Sequence, residues 1–212
     1  MHAPAYFVSG IGTEVGKTVM SAILVKSLHA DYWKPVQCGD LDYTDSHKVA
    51  EWTGATSDRI HRERHRLQMP ASPHLAAERE NLRINLSDFE LPKTARPLIV
   101  EGAGGLLVPL NDQHTMLDLI AHLGIPVLLV SRHYLGSINH TLMSIEMLRQ
   151  RDLAIAGLIY SGDDQGKDTV DIIQKMTGIE PMLEVGELND VSFSGLPQVE
   201  TFPESFDPRM RS

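Results

Sequence analysis

Short apolar runs alternate along the chain with longer amphipathic ones. Ala5 to Ser9 is apolar almost throughout and predicts a buried strand. From Thr18 to His29, Val19, Ile23 and Val25 recur near helical spacing and predict a helix. Tyr32 to Val36 predicts a second strand, and Pro97 to Glu101 a third that runs into Gly102, Ala103, Gly104 and Gly105. Thr115 to Leu123 predicts a helix stopped by Gly124, followed by a strand over Pro126 to Ser131 and a helix over Ser137 to Arg151. A strand over Ala154 to Tyr160, a helix over Gly166 to Thr177 and a short strand over Met182 to Val185 complete the pattern. Strands that are apolar throughout, separated by helices, are the pattern of a parallel sheet covered on both faces. The stretch from Gly54 to Leu91 is poorer in pattern and is expected to hold short helices. Beyond Leu188, Pro197, Pro203 and Pro208 predict a tail lying across the surface. The expectation is one α/β domain over residues 1–212, with a core at 1–190 and a C-terminal tail at 191–212.

Composition narrows the function classes. The 212 residues suit one large domain or two small ones, and 42% hydrophobic with 22% charged residues is a globular balance. No run approaches the roughly 18 apolar residues of a membrane-spanning helix. A formal charge of −9 argues against a protein that coats nucleic acid, so neither a nucleic-acid nor a membrane partner is expected. Cys38 is the single cysteine, which excludes an intrachain disulfide and a cysteine-built zinc site. Met1 to Ala5 lacks the basic and apolar parts of a signal peptide. These features fit a cytoplasmic protein.

The strongest chemical signal is Gly10-Ile11-Gly12-Thr13-Glu14-Val15-Gly16-Lys17-Thr18, which leaves the first strand and opens the first helix. Glycines let several backbone N–H groups turn toward one anion, and a helix N-terminus adds about half a positive charge. Lys17 would reach the β- and γ-phosphates, and the Thr18 hydroxyl would hold Mg²⁺. The common motif has four residues between its glycines, whereas Gly10 lies one residue further from Gly16.

Three charged positions near strand ends deserve a chemical reading, because open parallel sheets build their sites there. Glu101 ends an apolar strand beside a glycine run, the place of an acid that holds Mg²⁺ directly or through water. Lys34 ends the second strand, and Asp45 lies in an acidic loop. Taken alone, each of these two also reads as a solvated surface charge. His61 and His65 have helical metal-ligand spacing, but Arg59, Arg62, Arg64 and Arg66 around them would repel a cation.

In combination these residues resemble the dethiobiotin synthetase family, in unbroken order from Tyr6 to Gly162. The matching segments are the long phosphate loop, Lys34-Pro35-Val36, Asp45-Ser46, Ser72-Pro73-His74, Val100 to Gly105, and Leu135-Gly136-Ser137-Ile138-Asn139-His140. The resemblance implies a single-domain P-loop NTPase-like α/β fold. It implies closure of a ureido ring on 7,8-diaminononanoate with CO2 and ATP as co-substrate and Mg²⁺ as cofactor. By the same resemblance Lys17 and Lys34 are catalytic, and Thr18, Asp45 and Glu101 hold the metal. ATP would lie on Gly12, Thr13, Glu14, Val15, Gly16, Lys17, Thr18 and Val19. It would further touch Asp45, Glu101, Gly102, Ala103, Gly104, Ser161 and Gly162. The diamine would lie on Thr13, Lys34 and Cys38 of one subunit. Gly136, Ser137, Ile138 and Asn139 would come from the partner, which implies a homodimer.

The chain departs from the family at several places. Cys38 stands where Ser or Thr is common, and a thiol is a weaker donor. Gly12 replaces a residue with a side chain, and Gly186-Glu187-Leu188-Asn189 lacks a family proline. Ser161-Gly162 stand where the family has Asn-Asp, and Ser cannot make the two-point contact of an amide. Alternative readings are a regulatory or partition-type ATPase of the same loop group, or a small-molecule kinase. The former usually adds a lysine early in the loop, where this chain has Gly12 and Thr13.

Overall fold

The computed structural model describes residues 3–163 and 168–202. The chain runs β1 (Ala5–Gly10), α1 (Lys17–Leu28), β2 (Asp31–Trp33), β3 (Val36–Cys38), α2 (Asp45–Thr53), β4 (Ile60–His61), β5 (His65–Leu67) and α3 (Pro73–Arg79). It continues through β6 (Leu98–Gly105), α4 (Met116–Leu123), β7 (Val127–Arg132), α5 (Ser137–Gln150), β8 (Ile155–Ser161), α6 (Asp168–Thr177) and β9 (Pro181–Val185). Seven strands form one sheet in the order β4-β2-β6-β1-β7-β8-β9, and every pairing in it is parallel.

Alternation of side chains across the sheet sorts the apolar strands into two cores. Phe7, Val100, Leu129 and Leu158 face α4, α5 and α6 through Leu119, Ile145 and Ile173. Val8, Ile99, Leu128 and Val130 face α1 and α2 through Ile23, Leu24 and Val49. Because all strands run the same way, their C-terminal ends share one edge, where an open α/β sheet offers a crevice. Gly10, Gly105 and Ser161 end on that edge, and Glu101, paired with Val8, lies a few residues before it. Among the described residues no helix is long and apolar enough to cross a membrane.

Four features differ from the sequence expectations. The stretch Tyr32–Val36 is not one strand. β2 stops at Trp33, and β3 begins at Val36 and pairs with β5 in a separate two-stranded sheet. Pro35 explains the break, since it offers no N–H to a ladder. Its carbonyl instead accepts from the Arg64 and His65 amides. Second, the glycine run lies inside β6 rather than after it. Gly102 is needed there because a Cβ would sit 2.6 Å from the Phe7 ring.

Third, the stretch from Gly54 to Leu91 holds β4 and β5 as well as short helices. His61 and His65 therefore lie on two strands, not on one helix. Each ring lies 3.2 Å from a different acid, Asp31 and Asp88 respectively. Fourth, the tail is anchored. Leu196 and Phe202 are buried, and Lys26 donates to the carbonyls of Phe193 and Leu196. This covers the outer side of α1, whose run Ala22-Ile23-Leu24-Val25 is apolar all round and needs cover on each side. Gly166, Lys167 and the tail prolines Pro203 and Pro208 lie outside the described residues.

Candidate active site

The loop from Ile11 to Gly16 joins β1 to α1. Gly16 is the N-cap of α1 at φ +91°, a conformation that a side chain resists, and a Cβ there would lie 2.7 Å from the Ser161 hydroxyl. No side chain caps this end, so its N–H groups are left for an anion. Lys17 bends back over the loop and donates to the Gly12 carbonyl at 2.8 Å. Burial and then the Lys34 charge lower its ammonium to a pKa of about 8, although Glu101 and Asp45 pull the other way.

Glu101 organises the floor of the site. Its side chain is fully buried and accepts three hydrogen bonds of 2.8 Å. Thr18 and Lys34 donate to Oε1, and the Tyr32 hydroxyl donates to Oε2. Lys34 also meets Asp45 at 2.7 Å, so its ammonium lies between two carboxylates. Burial alone would lower the Lys34 pKa, but Glu101 and Asp45 outweigh it and hold the group above its ordinary value. Burial would raise Asp45, but Lys34 and Lys48 hold it below the usual carboxylate range. Lys48 reaches the other Asp45 oxygen at 3.3 Å.

The placement of Asp45 follows from local sequence. Thr44 caps α2, accepting from the His47 amide and donating to the buried Glu63, so Asp45 is the first helical residue. On the far wall, Pro73 opens α3 after Ser72, and Pro70 to Pro73 line a cleft of about 730 Å³.

That cleft brings together most of the expected residues. Thr13, Glu14, Gly16, Lys17, Thr18 and Val19 line it from the loop and α1. Lys34, Cys38, Asp45, Glu101, Ala103 and Gly104 line it from the sheet side. Gly12 and Gly102 contribute carbonyls, to Lys17 and, at 3.4 Å, to Lys34. Val15 is buried in the core beneath the loop. Cys38 is half-buried, and burial pushes its thiol up to about 11, with Glu80 adding to the rise and Lys34 opposing it. It is therefore a neutral thiol at neutral pH.

Other expected residues do not line the cleft. Ser161 is buried against Gly16, and Gly162 sits beside the ion pair of Arg132 with Glu187. Gly136, Ser137, Ile138 and Asn139 start α5 elsewhere on the surface, with Ser137 buried and Ile138 and Asn139 exposed. Sequence reasoning missed Tyr32 and Lys48. Tyr32 lies two residues before Lys34, the period of one strand face, and Lys48 lies one helical turn after Asp45. Both signals are present but common.

The chain matches, over residues 4–194, a family model described as an AAA domain. It is 43% identical to the ATP-dependent dethiobiotin synthetase BioD of Christiangramia forsetii, with 97% of each chain covered. It is 44% identical to the protein of the same name from Rhodopseudomonas palustris, over 95% of this chain and 94% of the other. Among solved structures it resembles a putative plasmid partition protein from Borrelia burgdorferi, at TM-score 0.54 and 8% identity over 92% of this chain and 95% of the other. It also resembles the septum site-determining protein MinD from Pyrococcus horikoshii, at TM-score 0.52 and 14% identity over 93% and 87%. At such identities the structural likeness shows the P-loop α/β fold alone, and it lends the partition-ATPase alternative no activity. Sequence identity above 40% across nearly the whole chain, over a phosphate loop facing Lys34, Asp45 and Glu101, carries the assignment: the chain belongs to the ATP-dependent dethiobiotin synthetase family.

Proposed function

We propose that this protein carries out the ring closure named by its family. ATP, Mg²⁺ and CO2 convert 7,8-diaminononanoate to dethiobiotin, ADP and phosphate. One amine takes up CO2 to give a carbamate. A carbamate oxygen attacks the γ-phosphorus and ADP leaves, giving a carbamic–phosphoric anhydride. The second amine attacks the carbonyl, closes the ring and expels phosphate.

The observation that carries this reading is the buried Lys34 ammonium, held across one cleft from the phosphate loop by two carboxylates. Carbamate and triphosphate bring like charges together. At 4 Å and an effective dielectric near 20, each such pair costs about 4 kcal/mol, so fixed cations must face the reacting oxygens. In this reading Lys34 faces the carbamate, and Lys17 with the loop amides holds the γ-phosphate. In the same reading the diamine passes Cys38 and Thr13, which both line that cleft.

The residues also suit Mg²⁺. The Thr18 proton is committed to Glu101, which leaves the hydroxyl lone pairs to face a metal, and Asp45 and Glu101 add hard carboxylate oxygens. The metal would supply charge neutralisation for the phosphate oxygens. The reading also places the enzyme in the cytoplasm, where its one thiol stays reduced. The direct test supplies diamine, ATP, Mg²⁺ and ¹³C-bicarbonate and analyses the product by mass. A ureido ring carrying the label is expected, and phosphorylated diamine or unchanged diamine would contradict the reading. CTP and GTP belong in the same assay, because Ser161 is turned against the loop rather than into the cleft.

A homodimer goes with this function. Gly136 to Asn139 lie away from the cleft of their own chain, so only a second copy could bring them to it. Around them Leu107, Tyr134, Leu135, Ile138 and Met143 are exposed, an apolar group that a partner would cover. Sedimentation equilibrium should give twice the mass of the chain, and Leu135→Asp should give monomers with a raised KM for the diamine. A fully active monomer would contradict the shared site.

A further inference from the structure

We propose that Tyr32 is a positioning residue that fixes the rotation of the Glu101 carboxylate, and through it the place of the Lys34 ammonium. The inference deepens the proposed reaction and rests on Glu101 as a metal-holding acid.

β2 pairs with β6 so that Tyr32 lies beside Ile99. Glu101 is two residues further along β6 and so projects from the same face. A long aromatic side chain on one strand can reach such a neighbour on the next strand, and Tyr32 does so. The Tyr32 ring is fully buried among Val8, Ile99 and the residues of α1, and only its hydroxyl leaves that apolar environment. That hydroxyl donates to Glu101 Oε2 at 2.8 Å.

The two oxygens of Glu101 are thereby given separate tasks. Oε2 is tied to the interior by Tyr32, and Oε1 is presented to Thr18 and Lys34. A buried carboxylate with one oxygen unpaired would turn toward another donor, and the available donors, Thr18 and Lys34, belong to the site. Burial, the Glu101 and Asp45 charges and the hydrogen bond keep the phenol protonated well above its ordinary range, so it remains a donor. Phenylalanine would fill the same socket without that bond.

The test is a double-mutant cycle read by calorimetry with β,γ-methylene-ATP, which binds without turning over. In the unaltered protein Mg²⁺ should tighten binding relative to EDTA. Tyr32→Phe should remove about tenfold of that gain and leave the affinity in EDTA unchanged, with the melting temperature recording that the variant is folded. Glu101→Gln should cut the gain by at least as much, and Tyr32→Phe added to it should change what remains no further. If the Phe variant melts too early to titrate at 25 °C, the same cycle is read at 10 °C. An equal effect of Tyr32→Phe in both backgrounds would show packing alone and overturn the proposal, as would no effect in the unaltered protein. A metal gain undiminished by Glu101→Gln would overturn the metal reading and the proposal with it, a result distinct from failure at Tyr32 alone.

Discussion

Replacing Lys34 by methionine is expected to lower kcat by about 10²–10³-fold while nucleotide affinity stays within about threefold. That loss is typical of removing one fixed donor aimed at charge developing in a transition state, roughly 2.7–4 kcal/mol. The methylene stem keeps its packing, so the deleted feature is the ammonium between Asp45 and Glu101. Glu101 then loses its cation, and Asp45 keeps only Lys48. Breaking a buried ion pair by removing one partner costs roughly 3–5 kcal/mol, so the free variant should also melt earlier. Mg²⁺ with nucleotide should restore part of that loss by supplying positive charge to the same acids. Stopped turnover with unchanged binding of β,γ-methylene-ATP would support the role. An equal loss of nucleotide affinity would move Lys34 from the carbamate to the phosphates.

Lys17→Met should act at the other step and weaken nucleotide binding by about 10²-fold or more, since in the proposed reading this ammonium holds the phosphates. The same group should make binding depend on pH. Before nucleotide arrives, Lys17 titrates near pH 8, because burial and the Lys34 charge disfavour its charged form. A bound polyphosphate favours the charged form and raises that value. Below pH 8 both states are protonated and affinity is flat. Above pH 8 the free protein has lost the proton that the complex retains, so binding takes one up. The dissociation constant should then rise by nearly tenfold per pH unit until the bound lysine titrates as well. Calorimetry from pH 7 to 9.5 in buffers of different ionisation enthalpy would show the uptake in the unaltered protein and its loss in Lys17→Met. Affinity independent of pH over that range would contradict it.

What could be read in the sequence was local. The phosphate loop is legible because its glycines, Lys17 and Thr18 are consecutive and join an apolar strand to a helix. Glu101 is legible because it closes an apolar run beside glycines, although β6 itself continues to Gly105. The parts that were not legible depend on pairing over long distances. That Lys34-Pro35 separates two sheets requires β3 to find β5, and residues 36–38 alone do not announce it. Tyr32 gains meaning only from the register that sets it beside Ile99 and therefore diagonal to Glu101. Lys48 matters only once Thr44 starts α2 and Asp45 occupies its first turn. The lowered Lys17 value belongs to burial and to a neighbour distant in sequence. Leu196 and Phe202 look like isolated apolar residues in a proline-bearing tail, yet they complete the cover of α1.

The central claim is that ATP cleavage here is coupled to ring closure on a diamine. Phosphate release followed in single-omission reactions tests it most directly. With ATP, Mg²⁺, bicarbonate and 7,8-diaminononanoate together, phosphate should appear in equal amount to dethiobiotin, and leaving out any one component should reduce release to background. Release at an equal rate without the diamine would contradict the account and mark the protein as an uncoupled ATPase.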